Sequence, residues 1–230
     1  RVAAPIRTEI NAKFLTILEE MQRHSPWFIK EPRLCLVWPL LQAQVSEPIF
    51  IHVWRDPLEV AQSLSARNGF PIDFGTALWE IYVRSAHMAA RGQRSIILSY
   101  NQLLKDPKGE TRRLMEKLQN FGVLGLTMPQ DAELADAVDV ELYRQRQASS
   151  SEADVFIPRA QRELCLALTE GDPKNPTLSL PLSPTSRLRM EDWTRRQGAI
   201  LAISTDALEG KHAKADLARL RKDVSRRNVE

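Results

Sequence analysis

Arg55 and Ser63 are the residues whose types and spacing first suggest chemistry. Arg55 follows the apolar run Ile49-Phe50-Ile51-His52-Val53-Trp54 and precedes Asp56-Pro57-Leu58-Glu59, a helix start. A guanidinium held between a strand end and a helix N-terminus offers forked donors and a favourable dipole to a phosphate. Ser63, two turns further on, can add a neutral hydrogen bond to the same anion. Lys30 closes the run Trp27-Phe28-Ile29, and Ser99-Tyr100 closes Ser95-Ile96-Ile97-Leu98. Open parallel sheets bind ligands beyond the carboxyl ends of their strands, so the three polar clusters converge if the strands are neighbours. Blander roles fit the same residues. Arg55 can pair with Asp56 or Glu59, Ser63 can be a small packing residue, and Lys30 a solvated strand end.

The elements that would position these groups follow from periodicity. Ile6, Ile10, Phe14, Leu15, Ile17, Leu18 and Met21 recur at helical spacing, predicting an amphipathic helix over 5–22. Trp27–Lys30 reads as a short buried strand stopped by Pro32, and 34–45 as a short helix. The run 49–54 is the strongest strand and is expected to be covered on both faces. Asp56 suits an N-cap, Pro57 the first helical position, and Glu59 a capping box; Asn68-Gly69 ends that helix. A helix over 74–90 should turn Leu78, Trp79, Tyr82, Val83 and Ala86 inward, and Asp106-Pro107 opens another through Phe121. Shorter helices are expected over 131–147 and 158–169. Strands alternating with helices mean βαβ units and a largely parallel sheet.

The chain has 230 residues, of which 43% are hydrophobic and 27% charged, enough for one α/β domain plus an appendage. No apolar run approaches the ~20 residues of a membrane span. Cys35 and Cys165 lie in apolar surroundings with no ligand at metal spacing, so buried free thiols, a cytoplasmic setting and no metal are the expectation. The net charge of +3 is uneven. Residues 187–230 hold 11 Lys and Arg against 7 Asp and Glu, and residues 1–186 hold 21 against 22. A neutral body argues for a small charged ligand held locally and against a nucleic acid held broadly. The Pro/Ser-rich stretch 171–186 reads as a linker. Beyond it, a weak apolar stripe from Leu188 to Val224 leaves open a solvated helical pair or a helix that binds a protein partner or a second copy.

The order of motifs then adds a resemblance. Ile29-Lys30-Glu31-Pro32-Arg33-Leu34-Cys35 is similar to the K-D-P-R-L-C segment of bacterial sulfotransferases that use 3′-phosphoadenylyl sulfate (PAPS). Trp54–Leu64 resembles their R-D/N-P-x-E-V-A-x-S-L segment, and Arg67–Pro71, Leu78-Trp79-Glu80, Leu98-Ser99-Tyr100 and Asp106-Pro107 follow in order. The similarity covers about residues 1–170. It implies a P-loop-NTPase-like parallel sheet flanked by helices, with a basic helical tail over 187–230. In that family an Arg and the Ser eight residues later bind the nucleotide 3′-phosphate, which carries over to Arg55 and Ser63. Lys30, 25 residues before Arg55, stands where cytosolic sulfotransferases place a lysine near the reacting sulfonate. Tyr100 matches a tyrosine beside the nucleotide. The implied activity is transfer of a sulfonate from PAPS to an acceptor hydroxyl or amine, with Lys30 stabilising charge on the sulfonate. No general base is assigned: Pro32 stands where the cytosolic enzymes have histidine, and Glu31 also reads as a partner of Lys30 or Arg33.

The family's second half-site, a glycine-containing loop that grips the 5′-phosphosulfate through backbone amides, has no counterpart here. The first glycine is Gly69, and no Walker-type loop occurs. With Arg1 as the first residue, the expectation is a fragment of a full enzyme whose first strand and loop lie upstream. The alternative is a non-catalytic binding or interaction protein that keeps the fold and an anion pocket.

Overall fold

The computed structural model describes residues 4–24, 26–137 and 157–197. The C-terminal stripe beyond 197 and the second half of the helix expected over 131–147 lie outside them. The chain forms two compact units, Arg1–Ser186 and Arg187–Glu230. Unit one is α/β and mostly helical. Its helices are α1 (Ala4–Gln22), α2 (Leu34–Leu41), α3 (Pro57–Asn68), α4 (Ile72–Ala89), α5 (Tyr100–Lys105), α6 (Pro107–Asn120), α7 (Asp131–Ala137) and α8 (Arg159–Glu170), with β1 (Ile49–Trp54) and β2 (Arg94–Ser99) between them. Of the second unit, residues 187–197 are described and are helical.

β1 and β2 pair parallel, with Ile49 opposite Arg94 and Trp54 opposite Ser99. The period of two turns Phe50, His52 and Trp54 to one face of the sheet and Ile51 and Val53 to the other. On the first face Trp54 and Ile97 pack with Trp79 and Val83 of α4, Leu164 and Leu168 of α8, and Leu178. Phe50 belongs to a second cluster with Phe14, Leu18, Trp38 and Leu41. On the opposite face Ile96 and Leu98 are buried, whereas Ile51 and Val53 remain 43% and 57% exposed. The doubly covered strand is therefore β2. A continuous apolar run in β1 does not by itself bring a second layer over it.

Residues 27–30 form neither helix nor strand. Trp27 and Ile29 reach the α1–α2 cluster, and the alternate residues Phe28 and Lys30 face out. The expected third strand is thus a single segment anchored by side chains, with Pro32 preventing its continuation. Helix α2 runs to Leu41 and tightens into a 3₁₀ turn over Gln42–Gln44.

Helix α3 starts and stops as its local chemistry dictates. The Asp56 carboxylate accepts from the amides of Leu58 and Glu59 at 2.8 and 3.2 Å, and Gly69 ends the helix with φ 69°. Asp106 caps α6 through the Gly109 amide at 2.9 Å. Helices α3 and α4 meet closely at Gly75, where an added Cβ would lie 2.8 Å from both Cα and Cβ of Ala61.

Among the residues expected to point inward on α4, Trp79 is buried. Two charged residues are buried with it, because the stretch 171–186 does not behave as a linker. Its Leu178, Ser183 and Ser186 are buried. Glu80, fully buried, accepts from Arg84 Nε at 2.8 Å, the Ser183 amide at 3.0 Å, Ser183 Oγ at 2.7 Å and Ser186 Oγ at 2.6 Å. Arg84 Nη1 donates to the carbonyls of Thr177 and Leu180 at 3.0 and 2.9 Å. Burial alone would raise the Glu80 carboxyl; the hydrogen bonds from Ser186, Arg84 and Ser183 outweigh it and hold the group below its ordinary value. A paired and fully bonded charge is what makes such burial tolerable.

His52 lies between the two apolar clusters, stacked on Phe50 with ring centroids 6.1 Å apart and 6.4 Å from the His87 ring of α4. Its Nε2 is buried without a hydrogen-bond partner among the described residues. Burial, seconded by His87, pushes it down to about 4. His87 is lowered too, by burial and then by Arg91. Both Cys35 and Cys165 are free thiols, and burial pushes Cys165 up to about 12. No helix among the described residues is long and apolar enough to cross a membrane.

Two stability predictions follow from this packing. Gly75→Ala should cost about 1–3 kcal/mol through overpacking against Ala61, read as a lower denaturation midpoint with an unchanged slope. Below a pH of about 6.5 the unfolded chain protonates at position 52 while native His52 stays neutral to about pH 4. Stability should therefore fall as pH drops through that window, by up to about 3 kcal/mol. Urea melts of His52→Leu across the same range should show a shallower pH slope than wild type.

Candidate functional site

The in-register pairing of Trp54 with Ser99 makes Arg55 and Tyr100 the next residues at two adjacent strand ends. Neighbouring strands lie about 4.8 Å apart, and the side chains meet. The Arg55 guanidinium carbon sits 5.2 Å from the centre of the Tyr100 ring, a cation–π arrangement. Arg55 Nε donates to Glu59 Oε2 at 2.6 Å. The other carboxylate oxygen of Glu59 lies 3.5 Å from Asn101 Nδ2 on α5. Glu59 thus orients the arginine from α3.

The backbone of Arg55 is held as well. Trp79 Nε1 donates to the Arg55 carbonyl at 2.9 Å. A carbonyl at the end of a strand, entering a helix, has no ladder partner, and α4 supplies one. The guanidinium is therefore fixed by a ring, a carboxylate and a tethered main chain. Its side chain remains 21% exposed, and its two terminal nitrogens make no hydrogen bond to protein among the described residues. Those nitrogens form the free edge of a planar donor fork.

Ser63 stands four residues beyond Glu59 on α3, so Glu59 and Ser63 share one face of that helix, while Arg55 precedes its N-cap and reaches Glu59 from the strand end. Its hydroxyl has no protein partner among the described residues. The amides at the start of α3 are already used by Asp56, so an anion here would be held mainly by side chains. Asp56 also contributes, after burial, to the raised value of Cys165, which places its charge near α8.

Lys30 is not joined to this group. It is exposed on the segment 27–30, and no hydrogen bond, ion pair or ring contact links it to Arg55, Ser63 or Tyr100. Of the three polar clusters expected on one sheet edge, two converge, because only two of the three segments pair as strands. Glu31 is a partner of Arg33, bonded through side chain and amide at 2.8 and 2.9 Å, and that pairing holds its carboxyl at about 2. A carboxylate held that low is a poor general base near neutral pH.

Sequence reasoning offered Glu59 as a partner of Arg55, in the blander of its two readings, and the structure shows that pairing; it did not place Trp79 or Asn101 at the site. The spacing of four between Arg55 and Glu59 was a usable signal. Trp79 and Asn101 arrive from other elements and carried none. Compared with family models, curated proteins and solved structures, the chain matches none.

The helix cap separates from the candidate anion site by mutation. Asp56→Ala should destabilise the protein by about 1 kcal/mol through the lost N-cap. The same change removes a negative charge beside Arg55, so the salt-dependent affinity for inorganic phosphate should rise, measured by calorimetry at two ionic strengths.

Proposed function

We propose that the first unit is a sulfotransferase-like domain that binds PAPS, or its product adenosine 3′,5′-bisphosphate, through the nucleotide 3′-phosphate. The observation that carries this reading is the Arg55 guanidinium, clamped by Glu59 and Tyr100 at a strand end with its outer nitrogens open. A phosphate accepts two parallel bonds from such a fork, and on this reading Ser63, one turn beyond Glu59 on α3, adds a neutral donor. Tyr100 supports the cation and offers an aromatic edge beside the nucleotide. The motif order from Ile29 to Pro107 makes the anion a 3′-phosphonucleotide, and the pairing of β1 with β2 is compatible with a P-loop-like sheet.

The reaction implied is sulfonate transfer. An acceptor hydroxyl or amine forms a bond to sulfur, the bond from sulfur to the bridging oxygen breaks, and the bisphosphate departs with that electron pair. The acceptor proton must pass to a base. On this reading Arg55 and Ser63 contribute orientation of the nucleotide, and Lys30 would meet the sulfonate. The residues present fit the 3′-phosphate. Lys30 lies off the sheet, apart from Arg55 and Tyr100. That observation favours a second reading, in which the same fold binds the bisphosphate without transferring a sulfonate and serves as a binding or interaction protein.

Thermal melts test the binding claim. Adenosine 3′,5′-bisphosphate at about 100 times its dissociation constant adds about 2.7 kcal/mol and should raise Tm by about 5–10 °C. Arg55→Ala should abolish the shift and Arg55→Lys should retain part of it, since charge remains but the fork is lost. A wild-type chain that ignores the bisphosphate at low salt, or responds more strongly to ATP or GTP, would sink the reading. Sulfonation of an amine or alcohol acceptor panel with PAPS separates the transferase from the binding protein.

A further inference from the structure

Trp79 and Glu80 are consecutive on α4, and between them they connect the Arg55 site to the strap 176–186. Trp79 holds the Arg55 carbonyl with its indole N–H and packs in one cluster with Leu178, the strap's buried apolar anchor. Glu80 receives the strap's other end through the Ser183 amide and the hydroxyls of Ser183 and Ser186. Ser183 Oγ also accepts from the Ser186 amide at 3.3 Å. This is the geometry of an N-cap at the head of the helix over 184–197, with the reciprocal carboxylate supplied by α4.

We propose that the strap is a control element for the anion site: its docking on Glu80 and Trp79 strengthens binding at Arg55, and its release weakens it. The proposal rests on the nucleotide reading of Arg55 and adds regulation to it. Three observations support a docked and a released state. The hold consists of Leu178 in the apolar cluster, the Arg84 bonds to the carbonyls of Thr177 and Leu180, and a polar latch at Ser183 and Ser186, where Gln161 Nε2 of α8 also donates to Ser186 Oγ at 2.9 Å. The Glu80–Arg84 pair is an i,i+4 pair within α4, so both charges keep a partner when the strap leaves. Ser186 is the last residue of the first unit, directly before the basic unit 187–230 in the chain. Release uncovers Trp79 on the Leu178 side and loosens its hold on the Arg55 main chain, so the guanidinium loses pre-organisation.

Coupling of this kind is reciprocal. Hydrogen exchange of the full chain, with and without adenosine 3′,5′-bisphosphate, should show amides 177–186 slowed about tenfold by ligand. Ser186→Ala should speed exchange of those amides and weaken the bisphosphate about tenfold by calorimetry. Trp79→Phe, which removes the indole donor and keeps a ring in the cluster, should weaken the ligand similarly. Added to Trp79→Phe, Ser186→Ala should then cause little further loss. Bisphosphate that binds wild type while exchange over 177–186 and the Ser186→Ala affinity stay unchanged would overturn the coupling and leave the nucleotide reading standing. Wild type that fails to bind removes the nucleotide reading, and the coupling falls with it.

Discussion

The parallel register of β1 against β2 is the constraint on which the candidate site depends. Pairing Trp54 with Ser99 ends both strands at the same level, so the next residues, Arg55 and Tyr100, leave the sheet side by side. A slip of one residue would move each strand's side chains to the opposite face. Phe50, His52 and Trp54 would exchange places with Ile51 and Val53, and both apolar clusters would lose their sheet contribution. The core therefore enforces the register, and the register assembles the arginine with its aromatic support. Specific residues finish the arrangement: Asp56 starts α3 at once, which brings Glu59 back over Arg55 one turn later.

The buried Glu80–Arg84 pair has a comparable role on the other side of α4. Two charges in the interior are tolerated only with near-complete hydrogen bonding. The strap supplies that bonding through two carbonyls, two hydroxyls and one amide. A segment rich in proline and serine is well suited to the task. It offers backbone and hydroxyl groups without regular structure of its own, and its prolines limit the unfolded chain's freedom. The same α4 holds the Arg55 carbonyl, so the Glu80 hydrogen bonds and the candidate site share one helix.

Much of the fold was legible because its signals are local. Strand β1, the Asp56-Pro57 start and Gly69 stop of α3, the Asp106-Pro107 start of α6, and helices α1, α4 and α8 all follow from short-range pattern and capping. The misreadings were failures of environment. Trp27–Lys30 has the composition of a strand but finds no hydrogen-bonding neighbour. The stretch 171–186 has the composition of a linker but meets a buried carboxylate. β1 has the apolar run of a doubly covered strand, yet only β2 is covered on both faces. In each case composition describes what a segment can tolerate, and the neighbouring elements determine what it becomes.

By itself the sequence determined where an arginine would stand at a strand end and which residue would cap the helix after it. Covalent spacing and backbone preference reach that far. Tertiary structure alone decided that Tyr100 lies against the guanidinium, that Trp79 anchors its carbonyl, that Glu80 gathers Ser183 and Ser186, and that Lys30 remains apart. Those contacts join residues distant along the chain, and sheet register and helix packing choose among them.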